Sequence, residues 1–270
     1  MTIFFDRRID NKTISSSNPA DVWADWRGTD ECWLFVSAHD DDIVIGAGLT
    51  MLAGLANNVN AFASYCCNGR MGYCTFEQQP HIINIRHTEA ERSFEHLGLP
   101  KENLIRFAYD DGNLMHATGR RFAKPGDSNE LCGAVGLQNS LTWLLRKVKP
   151  NRLFLPNRRD MHPDHVAVHM DLLISIFHAV GVIWPELGEP NTEIPKLYEY
   201  ATYGDFASPP TMRIRVPDED FRRRYEAVEM YQSQQQIALV VEGLQKVGGI
   251  EYLLEMEFDL IQYEKYATLF

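Results

Sequence analysis

The chain lacks any apolar run approaching the roughly 20 residues that a membrane-spanning helix needs, so no membrane partner is expected. It also lacks a leader pattern: the opening MTIFFDRRIDNKTISSSNPAD sets acids and amides straight after a short apolar run. A cytoplasmic location is the expectation. Basic charge is in deficit, 26 Lys and Arg against 37 Asp and Glu for a net −11, and such a surface repels phosphate backbones. Nucleic acid is therefore not an expected partner, and the basic clusters at 120–122 and 221–225 read as solvated faces. Cysteines are few, odd in number and irregularly spaced: Cys32, Cys66, Cys67, Cys74 and Cys132. That pattern excludes a disulfide framework. CCNGRMGYC has no two-residue gap of a zinc ribbon, so these thiols read as small core residues. Repeats and low-complexity tracts are absent.

What is present is an ordinary globular composition over 270 residues, 45% apolar and 23% charged, enough for one large domain. Residues 1–30 are polar and irregular and read as an arm lying on the surface. From Cys32 the chain alternates. Apolar runs at 32–38, 60–66, 103–109 and 152–157 have the length and composition of buried parallel strands. Between and after them, helices are expected at 43–58, 83–99, 137–149 and 165–180, with Gly98 near a C-terminal cap and Pro150 as a stop. Strands at 196–202 and 211–217 and one or two helices within 218–245 follow without a linker. The expected fold class is α/β: an open, mainly parallel sheet with helices on both faces, one domain over 31–270 with a C-terminal α/β extension.

Two strand ends carry the chemistry. The first runs into His39-Asp40-Asp41-Asp42 and the fourth into Asp160-Met161-His162-Pro163-Asp164-His165. In an open α/β sheet both ends face the ligand-binding edge. Alone, the three aspartates could cap a helix, and Pro163 fits a first helical position with His162 at the boundary. Together the bland readings weaken, because three adjacent carboxylates at a buried strand end repel one another unless a cation joins them. Two imidazoles and one carboxylate leave a coordination position for water, the pattern of a catalytic zinc. A carboxylate beside that water can act as general base, and a second histidine, held protonated near acids, can stabilise an oxyanion.

At these residues the sequence resembles the PIG-L/LmbE-like family of zinc-dependent de-N-acetylases, whose motifs read A-H-x-D-D and H-x-D-H. Here they stand as Ala38-His39-Asp40-Asp41-Asp42 and His162-Pro163-Asp164-His165. The resemblance implies a Rossmann-like fold and His39, Asp42 and His165 as zinc ligands. It implies Asp41 as general base and His162 as oxyanion stabiliser, with Asp164 orienting His162. Arg86 and Glu89 are similar to the family's R-x-x-E helix, whose arginine reaches the substrate. Asp110 falls where the family has an acid that binds sugar hydroxyls, and Tyr231-Gln232-Ser233-Gln234 is similar to its Y-x-S-Q segment. The likeness spans roughly residues 31–235. Asp40 replaces the usual Pro or Ala, and Ile43 and Val44 replace the acids that commonly follow. The implied activity is hydrolysis of an N-acetyl group on an amino sugar or glycoside conjugate. The expected cofactor is Zn2+, with another divalent metal such as Fe2+ open. The expected partner is a small N-acetylated sugar, and a homo-oligomer stays open.

Other readings fit less of the pattern. His39, Asp41 and His165 match the two-His-one-carboxylate set of nonhaem Fe(II) oxygenases, but those sites usually sit in jelly rolls, and Asp42 and His162 are left unexplained. Gly46, Gly48 and Gly54 form a partial dinucleotide fingerprint, yet HDDD in front of it would repel a pyrophosphate; close helix–sheet packing explains them better. A non-catalytic sugar-binding module would be expected to have lost a ligand or the base, and none is lost.

Overall fold

The apolar runs near residues 32–38 and 152–157 become neighbouring strands at the heart of a nine-stranded sheet. The structure, a computed structural model, describes residues 2–10, 12–258 and 266–267. It opens with β1 (Phe4–Ile9) and β2 (Lys12–Ser16), followed by β3 (Cys32–Ser37), α1 (Asp42–Ala56) and β4 (Asn60–Cys67). Next come α2 (Ile82–Leu97), β5 (Leu104–Tyr109), the short pair β6 (Arg121–Phe122) and β7 (Ala134–Val135), and α3 (Leu137–Val148). β8 (Arg152–Pro156), α4 (Pro163–Val180), β9 (Lys196–Tyr200) and β10 (Met212–Arg215) lead to α5 (Asp218–Glu229), α6 (Ile237–Val247) and β11 (Ile250–Met256).

The sheet order is β2-β1-β10-β11-β9-β8-β3-β4-β5. The β9-β8-β3-β4-β5 half is parallel, as the strand–helix alternation predicts. The other half is antiparallel. Side chains alternate faces along a strand. Trp33, Phe35, Phe154, Tyr198 and Tyr200 therefore enter the core shared with α1 and α5, while Leu34, Val36, Leu153, Leu155 and Leu197 enter the core shared with α3 and α4. Both faces are covered, so these strands read as continuous apolar runs.

The first thirty residues depart from expectation. They form no irregular arm: β1 pairs with β2 and β10, and Phe5 and Trp23 are buried. Trp23 packs on Trp33 and Tyr198 with ring centroids 5.1 and 5.0 Å apart. Hydrophobic patterning misses β1 because its second buried side chain is Asp6, which accepts from Arg213 Nε at 2.6 Å and Arg215 Nε at 2.8 Å. The long helical segment expected over 218–245 divides into α5 and α6, with residues 231–234 in the connection.

Helix α1 is almost wholly buried. Its glycines serve packing: a Cβ on Gly46 would meet Tyr200 Cδ2 at 2.6 Å, and one on Gly48 would meet Arg224 Cγ at 2.9 Å. Arg224 enters there and donates to the carbonyls of Val44 and Ile45, while Glu251 accepts from the N–H groups of Leu49 (3.1 Å) and Thr50 (2.8 Å). A buried ion pair from the C-terminal extension thus grips the helix whose first residue is Asp42.

Candidate metal centre

Strands β3 and β8 are parallel neighbours whose following helices lead away to opposite sides, to β4 and β9. Such a switch point leaves a crevice beyond the carboxyl ends of the strands. His39 and Asp40 lie in the bend after β3, Asp41 caps α1, and Asp42 begins it. His162 caps α4 with Pro163 in the first turn, and its Nδ1 accepts the N–H of Asp164 at 3.2 Å.

These bends bring three donors to one point. His39 Nδ1 lies 3.1 Å from His165 Nε2 and 3.4 Å from Asp42 Oδ2, and His165 Nε2 lies 3.1 Å from Asp42 Oδ2. Donors about 2.1 Å from a tetrahedral zinc stand about 3.4 Å from each other, so the triangle is sized for one ion. Two further observations agree. Asp42 Oδ1 is buried and has no hydrogen-bond partner among the described residues. Nitrogens of His39, His162 and His165 fall within 4.8 Å of one another, a crowding of imidazoles that a cation relieves. The residues present fit a divalent metal.

Carboxylates stand behind both imidazoles. His39 Nε2 lies 3.1 Å from Asp111 Oδ1 and 3.4 Å from Asp164 Oδ2. His165 Nδ1 lies 3.2 Å from Asp160 Oδ2, off the line of a well-aligned hydrogen bond. Burial alone would lower the pKa of His39, but Asp111, Asp164 and Asp42 outweigh it and hold the ring well above its ordinary value. His165 is pushed up to about 9, with Asp42 and Asp160 overcoming its burial. His162 moves the other way: burial and the neighbouring His39 and His165 lower it. That direction runs against the expectation of a protonated His162. With Nδ1 accepting the Asp164 N–H, Nε2 is the nitrogen left to donate.

Asp41 is buried beside the triangle without being part of it, its Oδ2 3.2 Å from Arg86 Nη2. Arg86 is also buried, and its guanidinium forks onto Asp40 through Nε (3.1 Å) and Nη2. Tyr231 donates to the Asp40 carbonyl at 2.6 Å, and Glu89 accepts from both the N–H and hydroxyl of Ser233. The R-x-x-E and Y-x-S-Q segments thus brace the first motif. The Asp164 carboxylate faces His39 and accepts from Gly112 and Leu114 N–H; only its backbone N–H reaches His162 Nδ1. Asp110 is exposed and lines a cleft of about 710 Å³ together with Arg70, Tyr73, Asp111 and Asn113. One residue that sequence reasoning missed is Asp111. It adjoins Asp110, and only the turn at Gly112 decides which of the two acids faces His39. Tyr203, half exposed, stacks on His165 with centroids 5.4 Å apart.

A metal-sized triangle of two imidazoles and a carboxylate, with a further buried carboxylate beside it at the switch point of an α/β sheet, defines the class: a metal-dependent hydrolase. The sequence model of the PIG-L family, described as GlcNAc-PI de-N-acetylase, matches residues 34–174, just over half of the chain, and the chain belongs to that family. Its activity is metal-dependent N-deacetylation of a sugar conjugate. Among curated proteins none matches. Solved structures share the fold. The conserved protein TT1542 from Thermus thermophilus is 21% identical with a TM-score of 0.65, over 86% of this chain and 98% of that one. The N,N'-diacetylchitobiose deacetylase of Pyrococcus horikoshii is 20% identical with a TM-score of 0.66, over 84% of each chain. GalB, the 4-carboxy-2-hydroxymuconate hydratase of Pseudomonas putida KT2440, is 16% identical with a TM-score of 0.58, over 86% and 98%. A hydratase on this architecture illustrates that fold alone does not fix chemistry. Among the described residues no helix is long and apolar enough to cross a membrane.

Proposed function

We propose that the chain removes the acetyl group from the nitrogen of an N-acetylated amino sugar or glycoside conjugate, with zinc held by His39, Asp42 and His165. The observation that carries this reading is the donor triangle with edges of 3.1–3.4 Å. Zinc bound there supplies a water whose pKa falls from 15.7 to about 7 and polarises the scissile carbonyl.

The chain's own residues do the rest. Asp41 takes the proton of the attacking water and passes it to the leaving nitrogen. Arg86, 3.2 Å from its Oδ2, fixes the carboxylate so that one oxygen stays directed at the reaction. His162 donates Nε2–H to the carbonyl oxygen as negative charge gathers on it. Asp164 serves both rings, holding the His162 tautomer through its backbone N–H and His39 through its carboxylate. The sugar occupies the cleft that Asp111 borders, where Asp110 accepts hydroxyl protons and Tyr73 offers a flat face. The Pyrococcus horikoshii neighbour, a deacetylase of N,N'-diacetylchitobiose, supports an amino sugar as substrate.

The test is Asp41→Asn, assayed by amine release over a panel of N-acetylated sugars with metal-loaded and chelator-treated enzyme. Turnover should fall by about 10²–10⁴ while one metal per chain is retained. Full activity in the variant would remove the assigned base, and activity that survives chelation would remove the metal.

A further inference from the structure

A second donor set is assembled on the far side of the His39 ring. Nε2 faces Asp111 Oδ1 at 3.1 Å and Asp164 Oδ2 at 3.4 Å, and Cys67 Sγ lies 3.6 Å from the same Asp164 oxygen. The nitrogen, the sulfur and the two carboxylate oxygens all lie within 4.8 Å of one another. They come from the bend after β3, the last residue of β4, the turn after β5 and the first turn of α4. As hydrogen bonding alone the set holds the His39 N–H and the weakly donating Cys67 S–H between two carboxylates, and a cation would replace both protons. Each carboxylate is already steadied from behind: Asp164 by Gly112 and Leu114 N–H, Asp111 by Met71 N–H. Asp111 also borders the 710 Å³ cleft, which gives an ion a way in.

We propose that Cys67, Asp111, Asp164 and His39 Nε2 form a second, inhibitory cation site that competes with the catalytic centre for His39. This inference rests on the metal centre described above. A thiolate beside an imidazole and carboxylates selects zinc-class ions such as Zn2+, Co2+ or Cd2+ over Mg2+ or Ca2+. When an ion binds, the Cys67 thiol proton and the Nε2 proton leave to solvent. A neutral imidazole has one free lone pair, so His39 serves one ion at a time. Nδ1 then takes up a proton and is lost as a ligand on the catalytic side. Metal in excess switches the enzyme off.

The experiment adds Co2+ beyond one equivalent to the cobalt-loaded enzyme while recording absorption and activity together. The first equivalent should carry activity and show no sulfur band. Further Co2+ should raise a near-ultraviolet thiolate-to-cobalt charge-transfer band, with activity falling in step. Cys67→Ser should keep the one-equivalent spectrum and activity but lose both the band and the inhibition. Cys67→Ala, which fills the same core position without a donor, should do the same, and circular dichroism checks that both variants fold. Absence of the band at any excess, or equal inhibition of the variants and the parent, would overturn the second site. The band is read without substrate, so it reports this site even if the deacetylation assay fails.

Discussion

His165 is gripped from both ends of its ring: Nε2 lies 3.1 Å from Asp42 Oδ2, and Nδ1 lies 3.2 Å from Asp160 Oδ2. Asp160 also accepts the His162 N–H and, through Oδ2, those of Tyr203 and Gly204. One carboxylate thereby stands behind the His165 ring and ties together the cap of α4 and the loop that lays Tyr203 over His165. A carboxylate behind a ligating imidazole raises its basicity and sets its tautomer, and its loss typically costs 10–100-fold in metal affinity. Asp160→Asn keeps an acceptor but removes the charge, so zinc affinity should fall by about 10-fold, measured by competition with a chromophoric chelator. Unchanged affinity would mean that Asp160 acts only on the loop. At this scale the convergence of His39, Asp42 and His165 was readable because each motif repeats a three-residue spacing across a bend, which turns two side chains to one side. The placement of Asp111, Cys67 and Asp160 was not, because it depends on which neighbour a turn presents. Arg86 illustrates the same limit. Its place on α2 follows from sequence, but its engagement by Asp40 is a contact between segments 46 residues apart.

Helix α1 links the site to the distal sheet. Its middle turn does not close on itself alone: Arg224 takes the Val44 and Ile45 carbonyls, and Glu251 takes the Leu49 and Thr50 N–H groups. Both charges are buried, and the pair stands 3.8 Å apart. Removing one partner of a buried pair leaves the other uncompensated, typically at 3–5 kcal/mol. Glu251→Leu should therefore destabilise the protein by about 3–5 kcal/mol in denaturant unfolding. Adding Arg224→Met should recover only part of this loss, since the Leu49 and Thr50 N–H groups and the Thr50 hydroxyl still lose the Glu251 carboxylate. Complete recovery would mean that Glu251 serves the helix only by pairing with Arg224. Alternation of apolar runs and helix signals was sufficient to anticipate the parallel half of the sheet. The antiparallel half escaped at β1, where a buried Asp6 neutralised by Arg213 and Arg215 interrupts the apolar alternation that marks a strand.

The acidic excess of the whole chain is concentrated functionally in one crevice, where Asp42, Asp111, Asp160 and Asp164 surround His39 and His165. Without metal, protons on the imidazoles take the cation's place. A histidine whose pKa rises on folding contributes stability that is fully present below its unfolded value and lost as pH climbs through its folded value. For His165 that window runs from 6.5 to about 9, and His39 is shifted in the same direction. Asp42, shifted down, is ionised in both states across this range and adds no slope. The metal-free protein should therefore lose roughly 5–10 °C of melting temperature between pH 6.5 and 9. The zinc-loaded protein should hold steadier, because the ion replaces the protons and binds more tightly as they leave. Thermal unfolding with chelator and with one equivalent of zinc across this range should show the gap widening as pH rises. A gap independent of pH would mean that His39 and His165 do not carry the charge that balances these aspartates, and the crevice would need another cation to stay folded.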